Sequence, residues 1–406
     1  MSTSLLYHAW NLKDYTQRAM EFRDGAVWMH VEKKPEKRVC PECLGTDFVL
    51  AGKVAPPPAI RGLPIGKKPV WIVPHLHRVL CVVCECVVQE ARLFADPKKH
   101  YTHQMAQYAL DLCKRTTMSD VASHLGMSWD TIKEIVKNDL QDRSKKVDWR
   151  NLRLIAIDEI SISKGQKYLT VVLNLETGRV LYVAESRRAE ALAPFFKILR
   201  RKRTKLEAVA MDMSGSYKFA VETYYNRPCS IVYDRFHVMK LLNEELDDIR
   251  REEMRNADSE VLRRMIKGKR YLLLYALENL PGDKHSPLEE LLRMNKNLCS
   301  AYILKEQLRA FWDAPSREFG EDYLRAWIAE ARATGIRQLV KFAKTLEQHW
   351  DGLVAYFDHR ITTGKLEGVN NSIKTLKRKA YGYRDVEFFK LRILFIHECS
   401  VKFAGM

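Results

Sequence analysis

Apolar and polar positions along the 406-residue chain change period several times. Near the start one short run, AVWMHVE, alternates and predicts a strand. Between about 54 and 74, Pro56, Pro57, Pro58, Pro64, Pro69 and Pro74 predict extended or looped chain, because proline breaks a helical ladder. From His100 the spacing turns helical: Met105, Ala109 and Leu112 share a face, Val121 and Leu125 mark a shorter helix, and a third runs from about Trp129 to Val136. After the polar segment QDRSKKVDWRN, the runs RLIAIDEISI, KYLTVVLNLE, RVLYVAES, EAVAMDM and CSIVYD read as strands, with AEALAPFFKILRRK and SYKFAVETYY as helices between them. That order predicts a mixed α/β sheet. From Val238 to about Asp358 the pattern is almost wholly helical, broken at PGDKHSP and DAPSREFG, and the chain then returns to helix.

Charge adds a partner class to this outline. The chain carries 68 Lys plus Arg against 51 Asp plus Glu, a net +17, which favours a polyanion. Its 46% apolar and 29% charged residues fit a soluble multidomain protein rather than a disordered or fibrous one. No stretch approaches the roughly 20 apolar residues of a membrane span, and the N-terminus lacks a signal-peptide pattern, so a cytoplasmic protein without membrane contact is expected.

The nine cysteines are unevenly spread. Cys40 and Cys43 (CPEC) and Cys81 and Cys84 (CVVC) form two Cys-x-x-Cys pairs, a spacing that lets both thiolates of a pair reach one ion. Two pairs complete a tetrahedral, structural zinc site in a ribbon-like module. Cys86 competes with Cys84 for the fourth position, as do His75 and His77; Cys84 is preferred. Cys113, Cys229, Cys299 and Cys399 read as core residues.

In MSDVASHLGMSWDTIKEIVKN, Gly126 permits a turn and Ser128 caps a second helix whose apolar face is Ile132, Ile135 and Val136. This is the layout of a helix-turn-helix, with Ser128, Trp129, Thr131, Lys133 and Lys137 available to double-stranded DNA.

Three carboxylates stand out. Asp158 ends the apolar run LIAI and Asp212 lies inside VAMDM, where an unpaired charge is costly, so each is expected to meet a cation. Glu367 begins a late helix on which Glu367, Asn371, Lys374 and Arg378 share one face and Val369, Ile373, Leu376 and Ala380 another. Such hard oxygen ligands suit two Mg²⁺ (or Mn²⁺) ions, which support phosphoryl transfer. Glu159 is expected on the opposite strand face. Asp234 and His237 form a possible auxiliary or purely structural pair. Lys374, Lys377 and Arg378, with Tyr381 and Tyr383 nearby, form a basic surface beside Glu367; a second cluster, Lys197 and Arg200 to Arg203, reads as a solvated helix end or a DNA contact.

The motifs CPEC, CVVC, VASHLGMSWDTIKEI, IDEIS, MDMSGSY, DRFHV and EGVNNSIKTLKRKAYGYRD, in this order, resemble those of bacterial insertion-sequence transposases of the ISL-three family, over most of the chain from about Cys40. The resemblance implies an RNase H-like DDE core with Asp158, Asp212 and Glu367 as metal ligands, interrupted by an all-helical insertion. It also implies zinc and helix-turn-helix modules that bind terminal inverted repeats. The expected plan is 1–100 for the zinc-containing region, 101–148 for the helix-turn-helix, 149–240 for the first part of the core, 241–360 for the insertion and 361–406 for the final core helices. The implied reaction frees 3′-hydroxyls at the element's ends and joins them to target DNA, in a nucleoid-associated homodimer or higher oligomer. The rivals are a zinc-containing DNA-binding regulator derived from a transposase, with a non-catalytic α/β domain, and a nuclease without strand transfer. Convergence of the three carboxylates favours the transposase, and their dispersal the regulator.

Overall fold

The computed structural model describes residues 5–397 except 41, 55–57, 91, 146, 148 and 164–166. The chain divides into two compact units, the described residues up to Arg143 and Ser144–Ile396. Mixed sheets and many helices make it an α/β protein.

The first unit contains α1 (Leu5–Trp10), β1 (Tyr15–Arg23), β2 (Ala26–Lys33), β3 (Phe48–Lys53), β4 (Ile60–Ile65), β5 (Lys68–His75), β6 (His77–Cys81), β7 (Val87–Gln89), α2 (His103–Cys113), α3 (Met118–Leu125) and α4 (Trp129–Ser144). The alternating run AVWMHVE lies in β2. Asp24 and Gly25, at φ 52° and 70°, form the two-residue turn that pairs it antiparallel with β1. The proline-rich stretch supplies β4 and β5, which complete a four-stranded sheet in the order β1-β2-β5-β4. Trp10, Val27, Met29, Ile60, Val70 and Ile72 bury its inner face. A second sheet, β3-β6-β7, carries the cysteine turns at its ends.

Local capping explains the helical part of this unit. The Thr102 hydroxyl accepts from Met105 N, Thr117 and Asp120 form a capping box, and Gly126 takes the left-handed φ of 60° that ends α3. Helix α2 buries Met105, Ala109 and Cys113, whereas Leu112 is only half-buried. Arg61 is buried, and its Nη2 donates to Leu125 O at 2.7 Å, neutralising the carbonyl end of α3 from β4. Among the other cysteines expected in the core, Cys229 and Cys299 are half-buried, while Cys399 lies outside the described residues.

The second unit is built on β8 (Leu154–Ser163), β9 (Lys167–Asn174), β10 (Val180–Ala184), β11 (Ala208–Met211) and β12 (Ser230–Tyr233), in the order β10-β9-β8-β11-β12. The first three are antiparallel; β11 runs parallel to both β8 and β12. Alternation along β8 sends Ile155 and Ile157 to one core and Ala156 and Ile160 to the other. The first core receives α5 (Ala193–Lys202), α6 (Gly215–Ala220) and α7 (Arg235–Arg255) through Phe195, Tyr217 and Leu242. Helix α7 runs unbroken past 240 into a helical stretch: α8 (Glu260–Ile266), α9 (Arg270–Leu274), α10 (His285–Met294), α11 (Lys296–Ala310), α12 (Arg317–Ala333), α13 (Arg337–Gln348), α14 (Trp350–Val354) and α15 (Tyr356–His359). The opposite face is covered by α16 (Gly364–Lys379) and α17 (Val386–Leu394), through Leu366, Val369, Ile373, Phe389 and Ile393. No helix among the described residues is long and apolar enough to cross a membrane.

Candidate functional site

The two Cys-x-x-Cys segments fold into matching turns. Cys40 N donates to Gly45 O at 2.9 Å, and Cys81 N donates to Cys86 O at 3.0 Å. In each turn the residue after the second cysteine is left-handed, Leu44 at φ 60° and Glu85 at φ 55°. The curl turns both thiols of a pair inward, and all four sulfurs lie within 4.8 Å of one another. Cys40 Sγ stands 3.8 Å from Cys84 Sγ, and Cys43 Sγ 3.4 Å from Cys81 Sγ. A tetrahedral zinc with Zn–S bonds of about 2.3 Å has S–S edges near 3.8 Å, so this spacing could hold one ion.

Cys86 is outside the cluster because its carbonyl closes the second turn as that of Gly45 closes the first. His75 faces His30 at 3.0 Å, and His77 lies between Glu90 and Glu32 at 3.2 and 3.3 Å, so neither joins. The Cys84 N–H draws the Cys81 thiol down to about 7. Cys84, although the Cys86 N–H favours its thiolate, is pushed up to about 12 by desolvation and by its thiol neighbours. One cation would release this conflict, since it stabilises every thiolate at once.

In the second unit, sheet register gathers carboxylates. Ala210 pairs with Ala156 on β8, and Met211 with Tyr233 on β12. Continuing these registers sets Asp212, one residue beyond β11, opposite both Asp158 and Asp234. Asp212 and Asp234 directly follow the C-terminal ends of the parallel strands β11 and β12, a usual place for a ligand crevice in α/β sheets, and Asp158 lies level with them midway along β8. Asp158 shares the face of Ala156 and Ile160, toward α16, while Glu159 takes the other parity.

Hydrogen bonds bind this row to α16. Asp158 Oδ1 accepts from Glu159 N at 2.7 Å, and Oδ2 from Asn370 Nδ2 at 2.9 Å. Asp234 Oδ1 accepts from Thr363 N at 3.2 Å, just ahead of α16. His237 Nδ1 lies 3.2 Å from Asp234 Oδ2, and its Nε2 lies 3.9 Å from Asp158 Oδ1. Asp212 Oδ1 accepts from Ser214 N at 3.2 Å.

The charges follow from these contacts. Burial pushes Asp158 up to about 6, and burial also raises Asp212. Burial opposes ionisation of Asp234 as well, but His237 and Thr363 outweigh it and hold its carboxyl below the usual range. The bond to Asp234 raises His237 in turn.

Glu367 sits in the first turn of α16 with its carboxylate exposed and unbonded to the described residues. The expected convergence of Asp158, Asp212 and Glu367 is not met: among the described residues, only the four cysteines bring three or more such donors within 4.8 Å. His237 contacts Asp158 and Asp234, and Lys240 also favours the Asp212 charge, whereas Glu367 stands on the exposed side of the first turn of α16. The donors nevertheless suit a hard divalent ion. All are oxygens, the Asp158 charge is penalised by burial, and Asn370 Oδ1 is buried with no donor among the described residues.

The late helix exposes Asn371, Lys374 and Arg378, as its polar face predicts. Lys377 differs, for its ammonium donates to Ile162 O and is half-buried, so it clamps α16 to β8. Tyr383 stacks on Phe389 at 4.5 Å and belongs to packing. Ala380 is exposed beyond the helix end, whereas Asn370, unremarked in the sequence pattern, is buried. In α4, the Ser128 hydroxyl accepts from Thr131 N at 3.1 Å, Trp129 is 45% exposed, and Lys133 Nζ lies 5.5 Å from its ring. Thr131, Lys133 and Lys137 are half-buried.

Comparison with known proteins gives these sites a context. A transposase family model of the ISL3 type matches residues 155–393, and the helix-turn-helix domain of transposase family ISL3 matches residues 92–139. Over 337 residues, 82% of this chain and 83% of the relative, the sequence is 31% identical to the transposase for insertion sequence element IS1001 of Bordetella parapertussis. It is 29% identical over 300 residues, 67% of this chain and 66% of the relative, to the transposase for IS1557 of Mycobacterium tuberculosis. Among solved structures, the Drosophila P element transposase strand transfer complex matches 72% of this chain and 91% of its own, with a TM-score of 0.40 and 11% identity.

Proposed function

The chain belongs to the ISL3 family of transposases, enzymes that cleave DNA and transfer its strands, and from that membership we propose that Asp158, Asp212 and Glu367 carry the reaction. The observation that carries this reading is the row of Asp158, Asp212 and Asp234, level with one another across β8, β11 and β12, with Asp158 bonded to Asn370 on the helix bearing Glu367 and Asp234 to Thr363 just ahead of it. Mg²⁺ or Mn²⁺ ions held there, two per site, would polarise the phosphodiester and ease deprotonation of the attacking hydroxyl.

Around them, this chain's own residues position the donors. Asn370 orients Asp158, and Asp234 fixes the start of α16 after the long helical stretch. His237 keeps positive charge between Asp234 and Asp158. Lys374 and Arg378, exposed about two and three turns beyond Glu367, would meet phosphates, and Asn371 lies between them and the carboxylate. Three antiparallel strands followed by two parallel ones support an RNase H-like core, with the helices from α8 to α15 as its insertion.

The helix-turn-helix would read the element's terminal repeats through Ser128, Trp129, Thr131, Lys133 and Lys137, and one zinc on Cys40, Cys43, Cys81 and Cys84 would hold its neighbouring module closed. Joining two ends calls for at least a dimer. A non-catalytic regulator is disfavoured despite the dispersal of Glu367, because such a protein gains nothing from burying Asp158 beside an unsatisfied Asn370 oxygen.

The test is Asp158→Asn. It is expected to reduce Mg²⁺-dependent nicking of end-bearing duplex on the order of 10³-fold, the loss of several kcal/mol of metal stabilisation, while end binding stays intact. Undiminished nicking would remove Asp158 from the site.

A further inference from the structure

The exposed side of α16 carries Glu367, Asn371, Lys374 and Arg378 at alternating steps of four and three residues. The next step falls on Tyr381, just past the helix end. Its side chain is fully exposed, at 102%, the highest value among the exposed large hydrophobic residues described. Its backbone is left-handed, at φ 50°. Tyr381 N donates to Arg378 O and Gly382 N to Lys377 O, each at 3.0 Å, so this residue is the one that turns the chain off the helix.

Glycine is the usual residue at such a position, because a side chain there strains the backbone. Gly382, the very next residue, shows that glycine is used in this loop, yet the left-handed helix end itself is occupied by an aromatic. The ring returns nothing to the fold: it is free of packing, whereas Tyr383 two residues on stacks against Phe389. A strained backbone bearing an unburied aromatic, flanked by Arg378 and the exposed Arg384, is what a nucleobase-stacking residue needs. Cations hold the phosphates while the ring accepts a base of any sequence.

We propose that Tyr381 is a stacking site for an unpaired nucleobase of the DNA end being processed. Fourteen residues at 1.5 Å each separate it from Glu367, about 21 Å along the helix, which is roughly six base steps of duplex. The base it takes therefore lies within about six nucleotides of the bond that is cut. This inference rests on the catalytic reading of Glu367.

The experiment uses the full chain and end-bearing duplexes with 2-aminopurine placed singly at each of the six positions on either side of the cleavage point. With the unsubstituted protein and Ca²⁺ to hold back cleavage, one position is expected to change its fluorescence several-fold as the base leaves its stack. Tyr381→Phe should retain that signal, since the ring remains. Tyr381→Ala and Tyr381→Gly should both abolish it and slow nicking about tenfold or more, while Tyr381→Gly leaves the Tm undiminished because glycine suits the turn. The same signal in Tyr381→Ala as in the unsubstituted protein would overturn the proposal, as would a Tyr381→Gly variant that nicks normally. Asp158→Asn run in parallel separates the two readings: if it still nicks, the catalytic assignment fails, while the 2-aminopurine signal reports on Tyr381 alone.

Discussion

In the first unit four sulfurs lie within 4.8 Å of one another, while in the second no comparable group forms from Asp158, Asp212 and Glu367. The difference comes from how the donors are delivered. Each cysteine pair is placed by a turn of six residues with its own backbone hydrogen bonds, so donor spacing is set locally. The carboxylates come from β8, from the residue after β11 and from α16, spread from position 158 to position 367, and their spacing depends on strand register and on where α16 lies over the sheet. A site meant only to hold a fold can be closed by its own turns. A site that must admit a phosphodiester gains from donors that close around the ions and the substrate together.

The largest effect should come from breaking the closed site. Cys40→Ser should eliminate bound zinc and unfold the cysteine-bearing module, since structural zinc contributes on the order of 10 kcal/mol to small modules of this type. Zinc content and end binding should both be lost, with the second unit's unfolding transition unchanged.

The open site should respond with a smaller effect and opposite sign. Asp158 binds its proton more tightly in the folded protein, at about 6, than at its ordinary value of 3.8. Well below pH 3.8 the carboxyl is neutral in both states and costs nothing; as pH rises from 3.8 to 6 the folded state is increasingly penalised. Above pH 6 the penalty is about 3 kcal/mol, at 1.36 kcal/mol per unit. Without divalent ions, Asp158→Asn should therefore be more stable than the unsubstituted protein at pH 7, by up to that amount, and no more stable at pH 3.5. Urea titrations at the two pH values measure this, and Mg²⁺ should stabilise only the unsubstituted protein.

Asn370→Ala comes next. It leaves Asp158 Oδ2 without its donor and should lower nicking about 10- to 100-fold, or 1.4–2.7 kcal/mol, with a higher Mg²⁺ requirement. Cys86→Ser should have the smallest effect: zinc stoichiometry and end binding should match the parent. A loss of zinc there would mean that turn geometry does not choose the ligand.

Most of the secondary structure was legible in the sequence, because the strands of the second unit are apolar runs and the helices keep their period. The cysteine site was nearly legible, since Cys-x-x-Cys is local; the spacing could not decide between Cys84 and Cys86, and in the fold it is Cys84, just ahead of the left-handed Glu85, whose sulfur joins the other three. The acidic row was legible only as separate residues. Its alignment depends on strand register, which no local pattern encodes. Asn370 was missed because it lies among Leu366, Val369 and Ile373 on the buried side of α16, where a polar residue looks out of place until its partner Asp158 is known. That misfit was the available signal, a buried-face amide three residues after Glu367. Arg61 escaped notice for a similar reason, its partner Leu125 O lying 64 positions away.

The central claim is that Asp158, Asp212 and Glu367 close on divalent ions. Anomalous diffraction from crystals grown with Mn²⁺ and end-bearing DNA tests it most directly. The expected result is manganese bridged by Asp158 and Asp212, with the Glu367 side chain turned in from solvent to complete the coordination. Manganese bound elsewhere, or Glu367 still facing solvent beside a filled site, would contradict it.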